Sequence, residues 1–320
     1  TAVYDPETMV TGKIGIAGFE DWTCGYDRRG RLVSLAEGER EAIFAYDGRG
    51  NLSSRTDPEN RNTRYDHDAM GRVTKMFRSD GSTIGFTYDK NGNLTSLVNP
   101  AGIIHRFLYD RVDGNDAYET PISGSYNYFY DRDRRLTGIR FPSGKEIRGT
   151  YSKGNLVRIE TPDGSTDIGY NACGTKMNAL VRGGEELTRT HDGILLTSET
   201  SKGTMNQSVR YGYDSDFRVN TLAYAGGTAH YAWDGDGLLT GAGDFTVSRN
   251  RENGLPESVS GGAWNLNRVF NGYGEVERET VVVNQKTVSD VAFTRDRTGR
   301  ITEKSETVGG VTRRYAYAYD

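Results

Sequence analysis

Cysteine is almost absent: Cys24 and Cys173 are the two in 320 residues. They stand in non-equivalent places in distant parts of the chain. That favours two free thiols over a disulfide and leaves the redox compartment open. Histidine is scarce as well. His67, His105, His191 and His230 fall at spacings that match no metal motif, so no metal centre is expected. No run of about 18 apolar residues occurs, so no membrane-spanning helix is expected. The first residues lack the charged-then-apolar order of a signal peptide. Neither charge sign dominates: 40 Lys and Arg stand against 44 Asp and Glu, a net charge of −4. The basic residues are dispersed with no aromatic interleaving, which excludes an ordinary nucleic-acid surface. Gly-x-Ser-x-Gly, Walker, His-Glu-x-x-His and Cys-x-x-Cys motifs are all missing. Neither cysteine has a partner base to make it a nucleophile. No enzyme, cofactor or metal is therefore expected in these residues.

Apolar residues are few too, at 35%, too small a share for a thick core. Glycine (41) and tyrosine (20) are plentiful instead, and they are not scattered. The stretch Tyr88-Asp89-Lys90-Asn91-Gly92-Asn93-Leu94 returns as Tyr26-Asp27-Arg28-Arg29-Gly30-Arg31-Leu32 and Tyr46-Asp47-Gly48-Arg49-Gly50-Asn51-Leu52. His67-Asp68, Tyr109-Asp110, Tyr130-Asp131, Tyr151-Ser152, Tyr170-Asn171, His191-Asp192, Tyr213-Asp214, Trp233-Asp234, Phe270-Asn271, Arg295-Asp296 and Tyr319-Asp320 extend the series. From residue 26 the steps are 20, 21, 21, 21, 21, 21, 19, 21, 22 and 20. A near-constant step over so many intervals identifies a repeat architecture.

A second mark lies inside each unit. Pro58, Pro100, Pro121 and Pro142 each follow an anchor by twelve residues, and Pro162 follows Tyr151 by eleven. Proline presets φ and the glycine that usually follows accepts φ > 0, so each unit holds two turns. Two turns in 21 residues leave two extended runs rich in Val, Ile, Tyr, Phe and Thr, such as Leu94 to Val98 and Ile103 to Tyr109. No helix is expected; the helix-like Leu32-Val33-Ser34-Leu35-Ala36 fills a strand slot. The fold is thus expected to be all-β, with about fourteen to fifteen two-stranded units in a continuous antiparallel meander over residues 1–320. Residues 1–25 form an incomplete unit, 26–245 the regular repeats, and 246–320 divergent repeats with a longer hairpin near 280–292.

The anchors expected to hold this scaffold are Tyr26, Asp27, Gly30, Tyr46, Asp47, Gly50, Tyr88, Asp89, Gly92, Tyr130, Asp131, Tyr213, Asp214, Trp233 and Asp234. Tyr should pack on its equivalent one unit away, Asp should accept backbone N–H groups, and Gly should supply φ > 0. The Arg or Asn after Gly should pair with the carboxylate of a neighbouring unit. Recurrence in nearly every unit argues for scaffold, because a catalytic site is needed once. Asp234-Gly235-Asp236-Gly237 is similar to the start of a calcium loop but lacks the later ligands. The sequons at Asn51 and Asn93 are by-products of Gly-Asn-Leu.

The Tyr-Asp-x-x-Gly-Arg/Asn-Leu repeat resembles the RHS or YD-repeat family of bacterial RHS toxins, Tc toxin C components and teneurin adhesion receptors. Tyr211-Gly212-Tyr213-Asp214-Ser215-Asp216-Phe217-Arg218-Val219, and the run from Gly299 to Asp320, resemble the teneurin-like branch. The resemblance implies a wall wound round a hollow lumen, in a secreted or surface protein that shields a C-terminal toxic or effector polypeptide. Other shell segments and secretion-machinery proteins are further implied partners. A teneurin-like module for adhesion, binding glycans or surface receptors, is the alternative. The Asp-Pro-x-Gly self-cleavage motif of RHS toxins is absent; Asp57-Pro58-Glu59-Asn60 shares two letters at a repeat turn. A chain that ends on Tyr319-Asp320, the opening of another repeat, reads as an excised fragment.

Overall fold

Two turns per unit produce two strands per unit, as the repeat requires. The computed structural model describes residues 2–4, 10–174 and 177–319, and among them there are thirty-one strands and no helix. Asp5 and Asp320, each the Asp of a terminal Tyr-Asp pair, lie outside the described residues. The strands are antiparallel and form an open sheet in chain order. The segment Leu32–Glu37 is a strand, as its slot in the repeat predicts.

Most of the Tyr-Asp ends share one geometry. In the unit at Tyr46, Asp47 N–H donates to Asn51 O and Gly50 N–H donates to Asp47 O, with Gly50 at φ 99°. Tyr46 pairs with Leu52, whereas the preceding Ala45 pairs with Ser54, so Ser53 is an extra residue on the returning strand. This bulge recurs at the equivalent place after Tyr26, His67, Tyr109, Tyr130, Tyr213 and Trp233. An extra residue on one strand increases the local twist and frees one backbone group from the ladder. The proline end often uses the same turn. Asn60 N–H donates to Asp57 O and Gly102 N–H to Asn99 O, with proline at the next residue in both. At its Tyr-Asp end the short unit at Tyr151 closes instead through Lys153 (φ 49°) and Gly154 (φ 89°), a two-residue turn whose twist matches the strands. The same solution at Asn284 and Gln285 joins Val276–Val283 to Lys286–Arg295, the longest strand, and so makes the longer hairpin expected there.

The strands fall into two units. Residues 84–230 form one, a single run of the meander. Its strands are laced by an aromatic file in which Tyr118 lies between Phe107 (ring centroids 5.3 Å apart) and Tyr126 (6.0 Å), with His105 stacked beside it at 5.9 Å. Residues 1–83 and 231–320 form the other unit, which brings together an early and a late part of the chain.

The sheet is one layer thick. Among the described residues, Ala42, Ala117 and Leu266 are the buried apolar side chains, and no polar side chain is buried. The accessible surface is 20690 Å², where a compact protein of this mass exposes about 13,000 Å². Cohesion must therefore come from the backbone ladder, cross-strand pairs and the turns.

Candidate functional site: the repeated Tyr-Asp turn

The carboxylate of the motif aspartate organises the turn. Asp27 Oδ1 accepts the N–H of Arg29 at 2.8 Å and of Arg31 at 3.0 Å. Its Oδ2 accepts Arg31 Nε at 2.8 Å and Nη2 at 2.6 Å, a two-pronged ion pair within one turn. Asp68–Arg72, Asp131–Arg135, Asp214–Arg218 and Asp296–Arg300 repeat the pair. Asp47 and Asp89 take the side-chain amides of Asn51 and Asn93 instead. The fifth residue thus pairs with the aspartate of its own unit. The reason is local. The left-handed glycine turns the chain back, so the fifth side chain lies over the first. The expected pairing with a neighbouring unit is seen at Asn93, whose amide also donates to Asp113 Oδ1 at 2.7 Å.

These contacts favour the charged carboxylate. The Arg31 guanidinium beside Asp27 holds its pKa below the usual value, helped by the Arg31 N–H, and the Asn51 amide does the same for Asp47. At Asp296 burial opposes ionisation. The hydroxyl and N–H of Thr298 and the guanidinium and N–H of Arg300 outweigh it, and the pKa falls to about 2.

The anchor tyrosine ties one unit to the one before. Tyr46 Oη donates to Leu32 O at 2.8 Å, Tyr109 to Leu94 O at 3.1 Å, Tyr130 to Asn115 O at 3.1 Å and Tyr213 to Leu196 O at 2.7 Å. Each acceptor is the bulge-flanking residue opposite the previous anchor. The Arg31 guanidinium also lies over the Tyr46 ring, 4.4 Å from its centroid, and Arg135 lies over Tyr151 at 4.9 Å. The expected tyrosine-on-tyrosine file is therefore replaced by a link from ring to preceding turn. Arginine can make the same link. Arg249 Nε donates to Leu239 O at 3.0 Å, and Arg295 Nη1 to Val276 O at 2.7 Å, each from an anchor slot. The link requires a long side chain ending in a donor, which Phe270 in the same slot lacks.

The predicted residues are distributed one turn per hairpin, not gathered into a pocket. Tyr26, Asp27, Gly30, Tyr46, Asp47, Gly50, Trp233 and Asp234 belong to the unit holding both chain ends; Tyr88, Asp89, Gly92, Tyr130, Asp131, Tyr213 and Asp214 belong to the other. Gly30, Gly50 and Gly92 have φ of 73°, 99° and 98°. In the turns of Asp131 and Asp214 the same left-handed place is filled by Arg134 and Phe217, both at 62°. Asp234 Oδ1 accepts the N–H groups of Asp236 and Leu238, so the calcium-like letters serve a repeat turn. His105 Nδ1 lies 2.6 Å from Tyr118 Oη in the aromatic file. Cys24 and Cys173 are free thiols.

One turn inverts this plan, and the sequence reading missed it. At Asn271-Gly272-Tyr273-Gly274-Glu275 the charges are exchanged: Asn stands for Asp, and Glu for Arg or Asn. Asn271 Oδ1 still accepts the N–H groups of Tyr273 and Glu275. The Glu275 carboxylate, however, takes both Nη atoms of Arg40 at 2.9 Å and lies 3.6 Å from Arg295 Nε. Arg40 also lies over the Tyr273 ring, 3.5 Å from its centroid. The side chains of Arg40, Glu275 and Arg295 are 15%, 23% and 14% exposed. Arg40 therefore lowers the pKa of Glu275, and its own is raised in return. Around this point Glu20 N–H donates to Gly272 O, Arg297 N–H to Glu59 Oε1 and Asn253 Nδ2 to Gly18 O. Turns more than 230 residues apart form a seam. Its sequence signal was the exchanged pair of letters.

Comparison with known proteins places this geometry. No curated protein matches the chain. Among solved structures, the Tc holotoxin pore of Photorhabdus luminescens is similar over 94% of this chain and 18% of its own, with 12% identity and a TM-score of 0.74. TcdB2-TccC3-Cdc42 is similar over 98% of this chain and 22% of its own (11% identity, TM-score 0.73), and TcdB2-TccC3-TEV over 90% and 20% (11%, 0.67). At these identities the likeness is one of fold, and the chain spans about a fifth of the length of each. The model of the Teneurin YD-shell family matches residues 1–320, so the chain belongs to the teneurin YD-shell family.

Proposed function

We propose that the chain is a wall segment of a secreted or surface shell that encloses a further polypeptide and keeps it from proteases and from premature folding. The observation that carries this reading is a sheet one layer thick with three buried apolar side chains among the described residues. A globule of 320 residues buries a core, whereas a wall needs stiffness and two wet faces. The anchors Tyr26, Tyr46, Tyr88, Tyr130, Tyr213 and Trp233, with their aspartates and the turn glycines Gly30, Gly50 and Gly92, serve as scaffold in this reading. No catalytic role is assigned to them. The resemblance to Tc assemblies over about a fifth of their length supports a segment that works inside a larger polypeptide.

The test is limited proteolysis of the full-length protein with mass spectrometry of the regions outside the shell. Those regions should resist cleavage until the shell is unfolded. Immediate cleavage, with the wall intact, would sink the proposal and turn attention to adhesion. The family match and the exposed Trp22 (39%) would then be the starting points for a receptor or glycan screen.

A further inference from the structure

Within the unit that holds both chain ends, two adjoining clefts open beside the seam. One, of ≈ 260 Å³, is lined by Arg55, Asp57, Arg61, Arg78 and Arg300, with Thr63 and Ser79. The other, of ≈ 430 Å³, shares Arg55, Asp57, Arg61 and Arg300 and adds Trp22, Leu35, Ala42, Pro58 and Arg297. Register explains the clustering. Leu35 pairs with Ala42, Phe44 with Arg55 and Arg55 with Thr63, and paired residues in an antiparallel sheet share a face. Apolar side chains therefore sit at one end of a single face and arginines at the other.

The charges there do not cancel. Asp57 is taken by Arg61, Asp296 by Arg300 and Glu275 by Arg40. Arg78 has a looser contact with Asp80 at 3.7 Å. Arg55 and the Arg297 guanidinium have no carboxylate or other side-chain partner among the described residues. Glu37, at the Trp22 end, is a lining carboxylate that faces Arg40, with Glu20 and Glu275 near. Two free guanidinium forks thus stand above an apolar floor of Trp22, Leu35, Ala42 and Pro58. Forked donors match a carboxylate geometrically, and the floor suits an adjacent aliphatic or aromatic side chain.

We propose that the paired clefts bind an acidic peptide segment of the polypeptide enclosed by the shell, with its carboxylates on Arg55 and Arg297 and a neighbouring apolar side chain on Trp22. This rests on the shell reading. It adds that the wall holds its contents at a defined place through charge complementarity, where a purely inert wall would not.

The first measurement is fluorescence anisotropy of the 320-residue chain with a fluorescein-labelled peptide of alternating Glu and Leu, against the same peptide with Gln for Glu. The Glu peptide should bind at least tenfold more tightly. Arg55→Glu with Arg297→Glu should remove that preference, with the circular dichroism spectrum unchanged. Equal binding of both peptides, an unaltered preference in the double variant, or equally tight binding of a sulfated oligosaccharide would overturn the proposal. The second measurement places the source. A photo-crosslinking amino acid at position 55 of the full-length protein should join to a segment of the same polypeptide outside residues 1–320. A crosslink only to other proteins, or none, overturns the assignment. Protease protection without a crosslink defeats this inference and spares the shell reading; loss of both defeats the two together.

Discussion

The turn Asp296–Arg300 and the turn Asn271–Glu275 have the same backbone, and they do different work. In both, the first side chain caps the N–H groups two and four residues on. In the first the charge pair closes within the turn, between Asp296 and Arg300. In the second the acid sits at the far end, has no cation in its own turn, and reaches Arg40, 235 residues away. A closed pair makes a repeat self-sufficient. An exchanged pair turns a repeat into a docking point. The YD turn is thus a scaffold whose fifth letter decides whether a hairpin holds itself or holds another part of the wall.

The strongest way to break that contrast is to remove the reaching carboxylate. Glu275→Gln keeps the shape and leaves Arg40 and Arg295 facing a neutral group. Stripping one partner from a buried ion pair costs about 3–5 kcal/mol, and the partial exposure of this one reduces the expectation to about 2–3 kcal/mol. Hydrogen exchange should rise in Trp22–Tyr46 and in Val276–Val283 and stay unchanged in Ile104–Tyr109 and Asn115–Glu119. Uniform loss of protection across the chain would show that the seam is not a separate cooperative element. Arg40→Glu with Glu275→Arg should recover part of the loss.

A smaller effect belongs to the closed pair and follows pH. The folded pKa of Asp296 is about 2 against an ordinary 3.8. A depressed folded pKa stabilises the fold fully above the unfolded value, and the contribution disappears as pH falls from about 4 to about 2. The shift corresponds to about 2 kcal/mol. Asp296→Asn keeps an oxygen to cap the turn, as Asn271 does, and removes the charge. Urea unfolding should show the variant less stable by about 2 kcal/mol at pH 7, with the gap closing towards pH 2. A gap that does not change with pH would mean that the carboxylate acts only as a cap.

Much of this architecture was legible in the letters. A 21-residue step with two turn signals gives strands and their antiparallel order, but not the bulge beside each Tyr-Asp turn. Gly50 and Gly92 gave the place of the left-handed residue, and Asp47 and Asp89 the cap. The direction of the Arg31 and Asn51 side chains was not legible, because it depends on how the left-handed residue folds the chain back over the aspartate. The tyrosine link was missed because its acceptor is a backbone carbonyl, and a backbone carbonyl leaves no letter. The seam was missed because a contact across 235 residues has no local signature beyond Asn and Glu at exchanged places. The arginines at 55 and 297 looked dispersed because register, not sequence distance, puts them on one cleft.

The smallest effect separates the turn's backbone from its charges. Phe217 fills the left-handed place of the Asp214 turn at φ 62° with its side chain 68% exposed. The Asp214–Arg218 pair beside it is intact, so the electrostatic half of the motif is already satisfied there. A bulky residue in the left-handed region costs about 1–2 kcal/mol, whereas glycine adopts it freely. Glycine also enlarges the freedom of the unfolded chain, which returns about 0.5–1 kcal/mol of that gain. Phe217→Gly should therefore raise stability by up to about 1 kcal/mol, read as a higher urea midpoint at unchanged slope. A loss instead would mean that Phe217 makes a stabilising contact through its ring. The left-handed residue would then be a place where the wall accepts strain in return for an exposed aromatic side chain, as the exchanged turn gives up its closed charge pair to make the seam.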